Sequence, residues 1–530
     1  MAKKDRKKAE YVKIEKERIN AFEGSTFLLG VITSVLSAII CMQTIAKVGV
    51  TPNTSMIGVI FAVMLSRIPF NSFMRFRSTE RQNLVQTAIS TAGFAAANCG
   101  FLSVAIFYVL GETSFIFPMA IGSLCGVLIS VLAEGMIFDS IVFPASGPWP
   151  PGVAVAQAIE AGDEGGTKGK RLLQGLIVGV IGSYFKLPAA GIGIVFISNI
   201  FSMAALGIGL ILRGYSTSLV GFDIGATYIP HGIMIGAGVM ALIQSIMSMF
   251  KGNKGSSNNE PANYTHSDED TKKNMVKIIG LFFSGAFLLA LITGIMFKMP
   301  FIKFILWLIW ATFSATVAML IVGMAAMNSG WFPGFAVTTI FMTIGIFFKF
   351  PIIPLALLTG YVTSVGPCFA DMGYDLKTGW ILRGNGEDRE YELYQRKQQV
   401  HTQLYGGAVG IIVMLLTLNL YFKQDLIPPI SRVFAATISA GAESSTLMTL
   451  LKWAVPGVIL QLIFGPDKMV GVLFATGLLI NNPIYGIGVL AAVVVRMIFG
   501  TEFMEIRDAG LIAGDGIYGF FDAVFKAFLN

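Results

Sequence analysis

Asn83-Leu84-Val85-Gln86-Thr87-Ala88-Ile89-Ser90 decides how this chain is read. Asn83, Gln86, Thr87 and Ser90 follow one another at i, i+3, i+4 and i+7, which stacks them on one face of an α-helix. The other face is apolar, and the pattern runs on through Phe101-Leu102-Ser103-Val104-Ala105-Ile106-Phe107-Tyr108. A stripe of this kind belongs against other helices or a watery cavity, because lipid has no hydrogen bonds to offer it. Two readings follow. The stripe is interhelical glue, a common use of Ser, Thr, Asn and Gln in membranes, or it touches a substrate or ion.

Working outward, the 530 residues are 54% hydrophobic and 13% charged, where soluble domains carry nearer a quarter charged. Uncharged runs such as Thr26–Ala46 and Ile278–Phe297 reach the roughly 20 residues that span a bilayer. Such runs recur throughout, which predicts an all-α polytopic membrane protein of about 14–16 transmembrane helices, some too short for a full crossing. The 59 glycines suit closely packed helices. The net charge of +7 does not call for nucleic acid: the basic residues cluster at predicted membrane edges, facing anionic lipid and the cytoplasm. Cys41, Cys99, Cys125 and Cys368 are isolated, with no Cys-x-x-Cys pair, and read as buried small hydrophobes.

Residues 1–24 form a basic, cytoplasmic N-terminal segment, expected as an interfacial helix. No small-residue cleavage site follows the first span, as expected of an uncleaved anchor. Residues 25–250 form a first transmembrane half, 251–275 a disordered polar linker, and 276–530 a second half with a cytoplasmic loop at 375–400. Basic residues place the N-terminus inside the cell membrane. Leu219–Tyr228, Ser431–Ala440 and Met469–Ile480 are apolar but broken by Gly, Pro or Asn. Broken segments in two halves are the usual pointer to a transport site, which makes Tyr228 and Asn482 candidate substrate contacts. An internal repeat is suggested by Leu173-Gln174-Gly175-x-x-x-Gly179 and Leu404-Tyr405-Gly406-x-x-x-Gly410, and by Pro230-His231-Gly232 and Pro483-Ile484-Tyr485-Gly486.

Catalytic signatures are missing. There is no P-loop, no His-Glu-x-x-His site and no Gly-x-Ser-x-Gly elbow, so neither an enzyme, a cofactor nor a metal site is expected. Ionisable residues in apolar segments are the functional candidates. Glu134 shares a helix face with Ser130, and a carboxyl at low dielectric suits proton coupling; the alternative is a Glu satisfied by a neighbouring helix. Asp223 and His231 flank a broken segment and are the next proton candidates, or simply helix caps. Arg496 reads as a snorkelling interfacial side chain or an anion ligand. The segment Phe143–Ala156, rich in Pro and Gly, cannot be a regular helix throughout.

At these segments the chain resembles the oligopeptide transporter superfamily, most closely its bacterial and yellow-stripe-like branches. Four landmarks occur in family order: Asn83-x-x-Gln86-Thr87-x-x-Ser90, Pro151-Gly152-x-Ala154-x-Ala156, Asp375-Leu376-Lys377-Thr378-Gly379 and Gly510-Leu511-Ile512-Ala513-Gly514. Gln82 stands where the family often has Glu, and the signature of the eukaryotic peptide-transporting branch is absent. The resemblance implies a bundle of roughly sixteen spans and a proton-coupled importer of short peptides, glutathione-like compounds or metal chelates. It also favours substrate contact for Asn83, Gln86 and Thr87, and Ser90 completes the candidate stripe. The expected partners are a small-molecule substrate, protons and membrane lipid, with a homo-oligomer as a possible assembly. A metal-chelate symporter of the same fold is the alternative, ahead of a passive channel or an intramembrane enzyme.

Overall fold

The computed structural model describes residues 17–49, 54, 58, 62, 75–162, 167–197, 199–252, 264–329, 333–441, 444–465, 468–501 and 504–529. Every regular element among them is helical. In chain order these are α1 Gly24–Val48, α2 Thr79–Val109, α3 Ile116–Ile137, α4 Pro150–Gly162, α5 Thr167–Tyr184, α6 Ala189–Ile197, α7 Ile200–Gly214 and α8 Ser216–Val220. They are followed by α9 Ile229–Gly252, α10 Asp268–Thr293, α11 Phe301–Ser329, α12 Gly334–Phe347, α13 Ile352–Leu382 and α14 Arg389–Lys423. The last are α15 Pro429–Ala440, α16 Ser444–Phe464, α17 Val470–Leu479, α18 Pro483–Phe499 and α19 Glu505–Leu529.

Seven helices among the described residues (α1, α2, α3, α10, α11, α13 and α14) are long and apolar enough to cross a membrane, and seven shorter apolar segments of 10–17 residues accompany them. The outer surface carries bare apolar side chains: Ile302 is 83% and Leu416 78% exposed. Water does not tolerate such a surface at this scale, whereas lipid requires it. The protein is a polytopic, all-helical membrane protein, as its sequence predicts. Inside the bundle α2 and α13 are central, with 89% of their most apolar stretches buried, while α10 has 33% and lies at the edge.

Local chemistry explains the breaks. The apolar stretch from 189 to 214 divides into α6 and α7 because Asn199 caps α7, accepting from the Phe201 N–H. Within α2 the hydrogen-bonding widens to a π-helical segment at Ala95–Phe101 before the regular α register resumes at Leu102. The Pro-rich stretch is irregular up to Trp149, and α4 opens on Pro150, where a missing N–H costs nothing. The glycine echoes mark helix crossings: Gly179 of α5 meets the Leu511 carbonyl of α19, and Gly406 of α14 meets the Ala88 carbonyl of α2.

Three expectations need correction. The cytoplasmic loop at 375–400 is helical: α13 continues to Leu382, a short turn follows, and α14 begins at Arg389. Arg383, Glu392 and Arg396 within it are buried in ion pairs with one another, while Glu387, Arg389, Glu390 and Lys397 are exposed, so the charge run is internal in part. The linker expected to be disordered at 251–275 is helical at both of its ends. α9 runs to Gly252, and Ser267 caps α10, with Asp268, Glu269 and Asp270 in its first turn, where the helix dipole favours acids; residues 253–263 lie outside the described residues. Residues 1–16 also lie outside them, and 17–23 are not helical. This strand of chain docks on α14, its Ile19 and Ala21 N–H groups donating to Gln395 and Gln398.

Candidate functional site

A cavity of about 550 Å³ opens where several helices end. Lys47 at the end of α1, Leu110 just after α2, Arg213 on α7, His231 on α9, Arg432 on α15 and Asn482 before α18 all line it. The helix ends share this side for a reason. Glu23 accepts from Arg81 at 2.9 Å, which pins the starts of α1 and α2 together, so their far ends emerge together at the cavity. Tyr228 and His231 meet ring to ring at 5.8 Å between centroids, and the His231 Nδ1 lies 3.1 Å from the Thr227 carbonyl. Asn482 caps α18, its Oδ1 accepting from the Tyr485 N–H.

The cavity wall is cationic. Arg432 pairs with Asp425 at 2.8 Å, Lys47 with Asp515 at 3.1 Å, and Arg213 with Asp223. The Arg213 Nε–H is buried with no partner. Asp223 also caps the short turn at Ile224–Ala226, accepting from the Gly225 N–H at 2.9 Å. Asp223 does not line the cavity, whereas His231, Tyr228 and Asn482 do.

The polar stripe lies elsewhere, sealed between α2, α13 and α14. Asn83, Gln86, Thr87 and Ser90 are wholly buried. Gln86 Nε2 donates to Asp375 at 2.7 Å, and Ser90 donates to Asp371 at 3.2 Å, as does Thr54. Gln399 Nε2 donates to Thr87 at 3.0 Å. Asn83 alone of the four has neither amide atom paired, an expensive omission for a buried amide. Three of the four therefore bridge α2 to α13 or α14, and the fourth is unsatisfied.

A family model described as OPT oligopeptide transporter protein matches residues 25–250 and 221–526. The chain belongs to the oligopeptide transporter family. The match is to the family as a whole and selects no branch, and no curated protein matches the chain. As a member of a transporter family, it is read as a carrier with a small-molecule or peptide substrate.

Two of the landmark sequences of this oligopeptide transporter touch each other. Lys377 donates to the Ala145 carbonyl at 2.7 Å, and Thr378 donates to the Gly152 carbonyl at 3.0 Å. With Asp375 holding Gln86, the run Asp375–Thr378 ties α13 to α2, to the irregular chain and to α4. A side chain at Gly152 would stand 2.6 Å from the Tyr374 carbonyl, so α4 approaches α13 this closely only through glycine.

Glu134 occupies a third place. It is fully buried on α3, and neither carboxyl oxygen has a hydrogen-bond partner. Ser130 does not serve it, donating instead to the Gly126 and Val365 carbonyls. Beyond it, away from the cavity, charges close the bundle. Arg383 pairs with Glu392 at 3.1 Å and with Glu80 at 3.8 Å; Arg396 pairs with Glu392 at 2.7 Å and with Asp139 at 3.7 Å. Arg496 donates to the Val195 carbonyl at the protein edge. Sequence reasoning missed Lys47, Arg213 and Arg432 as cavity residues, Gln399 as a stripe partner and Asp515 as a buried acid. Lys47 and Arg213 stand at the ends of apolar runs, where a cation reads as a membrane-edge anchor.

Proposed function

We propose that this transporter is a proton-coupled symporter that imports short peptides or peptide-like molecules across the cell membrane. The cavity carries the reading. Its volume lies within the range of small-molecule sites, and its polar groups fit a peptide's ends and middle. Arg213 and Arg432 suit a carboxylate, since guanidinium binds planar anions in bidentate fashion. Asp425 suits an α-amino group; Asn482, Tyr228 and His231 suit amide bonds. With the basic N-terminal segment in the cytoplasm, the cavity opens to the outside and the charge network closes the inside, as an importer waiting for cargo requires. Asn83, Gln86, Thr87 and Ser90 form a second set of contacts, reached when α2 and α13 part. Glu134 is the first choice for the proton, with Asp223 and His231 behind it.

The test is substrate-induced current in proteoliposomes under an acid-outside gradient, with a pool of short peptides and then a set of metal chelates. A saturable inward current with peptides is expected. A current with chelates alone would replace the substrate class and keep the coupling. Flux of either class that neither saturates nor responds to the gradient would replace symport with a channel.

A further inference from the structure

Asp515 and Lys47 form a pair that none of the candidate roles above uses. Asp515 lies on α19, with its side chain 2% exposed, and holds Lys47 at 3.1 Å. It also accepts from Ser183 of α5 at 2.5 Å and from the Tyr485 hydroxyl of α18 at 3.2 Å. Lys47, in contrast, is 20% exposed and lines the cavity. One partner is therefore sealed among three helices and the other reaches the cargo space. Tyr485 is in addition the residue whose N–H is held by Asn482 of the cavity wall.

We propose that Asp515 takes up a second proton, beside the one assigned to Glu134, and couples it to cargo binding through Lys47. The proposal rests on the symport reading above. While Asp515 is ionised it holds the Lys47 ammonium, which is then poorly available to an anionic group in the cavity. A proton from the outer medium, added to a carboxyl oxygen of Asp515, neutralises the carboxylate. Lys47 keeps its charge, loses its fixed counter-ion and turns to the carboxylate of the cargo. By linkage the converse holds equally: cargo that takes Lys47 makes Asp515 easier to protonate. Proton and cargo then load together, which is what symport requires. The groups facing Asp515 are Lys47 from α1, Ser183 from α5 and Tyr485 from α18. Along α19, Asp508 lies two turns away and is felt by Arg496 of α18, and Tyr518 packs against Tyr184 of α5.

The experiment uses the full-length carrier in proteoliposomes, with the pool of short peptides and the same peptides as C-terminal amides. Two readouts are taken: accumulation driven by a pH gradient, and exchange of internal for external peptide without one. In the unaltered carrier, half-saturation for the free-acid peptides should improve as the outer pH is lowered, by up to about tenfold per pH unit for each proton taken up with the cargo. Asp515→Asn keeps the acceptor for Ser183 and Tyr485 but not the charge. It should exchange peptides with a half-saturation that no longer changes with pH, and accumulate them less than the unaltered carrier. Lys47→Met should weaken free-acid peptides about tenfold and leave the amides unchanged, since a fixed cation discriminates only the charged end. Asp515→Asn that accumulates peptide with an unaltered pH profile overturns this proposal alone, as does Lys47→Met with unaltered affinity for both pools. Failure of the unaltered carrier to accumulate peptide overturns the symport reading and this proposal with it. Should Asp515→Asn prove unfolded, the Lys47→Met comparison decides by itself.

Discussion

The two ends of the bundle use the same residue types to opposite effect. At the cavity, Arg432 is 35% and its partner Asp425 78% exposed, so water screens the pair and either partner is free to turn to an incoming charge. At the closed end the Arg383 side chain is 0% and that of Glu392 3% exposed, and together with Arg396 and Glu80 they hold α2, α13 and α14 in one arrangement. Exposure separates a recognition surface from a clamp. Charge type alone does not.

This contrast sets the order of expected effects. Removing one buried partner leaves another charge stranded, so Arg383→Ala should destabilise the protein by about 3–5 kcal/mol, read as a fall in the thermal unfolding midpoint of purified protein in detergent. Arg383→Ala at unchanged stability would erase the distinction between the two ends. Glu134→Gln should leave the fold intact and abolish accumulation driven by a pH gradient; a variant with normal pH dependence acquits Glu134. Gln86→Ala should abolish uptake while folded protein remains in the membrane, and unchanged uptake would confine the stripe to glue. At the open end Arg432→Ala should change stability by less than about 1 kcal/mol, while raising the KM for peptides severalfold. The smallest effect concerns the docked chain at residues 17–23. Hydrogen bonds from Arg81 hold the Glu17 and Glu23 carboxyls below their ordinary range. Their contribution is therefore complete above the unfolded carboxyl range and is lost as pH falls through the lower folded values. Limited proteolysis near residue 20 should speed up only in strong acid, and Arg81→Gln should bring that fragility to neutral pH.

The sequence carries the fold more plainly than the site. Hydrophobic period and length place the apolar middles of the long helices, because burial in lipid leaves the backbone no other way to satisfy itself, but α13 and α14 run on well past those apolar stretches. The interior polar residues were legible as a stripe, since the i, i+3, i+4, i+7 spacing is local. Their partners were not: Asp371, Asp375 and Gln399 come from 281 to 312 residues away, and no local pattern records that pairing. The segment at 375–400 failed for a related reason. Its charges suggest water, which Glu390 and Lys397 do meet, but Arg383, Glu392 and Arg396 satisfy one another inside the bundle. The cavity cations failed through ambiguity, because Lys47 and Arg213 at helix ends look the same whether they anchor the protein to lipid headgroups or face a cargo.

The widened segment at Ala95–Phe101 lies between these two worlds on a single helix, with the sealed stripe before it and the cavity-lining Val109 and Leu110 after it. A π-helical stretch holds surplus chain that an α-helix of the same rise does not need. Relaxing one residue of that surplus into the α register would swing everything downstream by roughly 100° about the helix axis, since each residue of an α-helix accounts for that much rotation. The halves of α2 are thus joined by something closer to a crank than a rod: the inner half can stay clamped to α13 while the outer half presents a different face to the cargo.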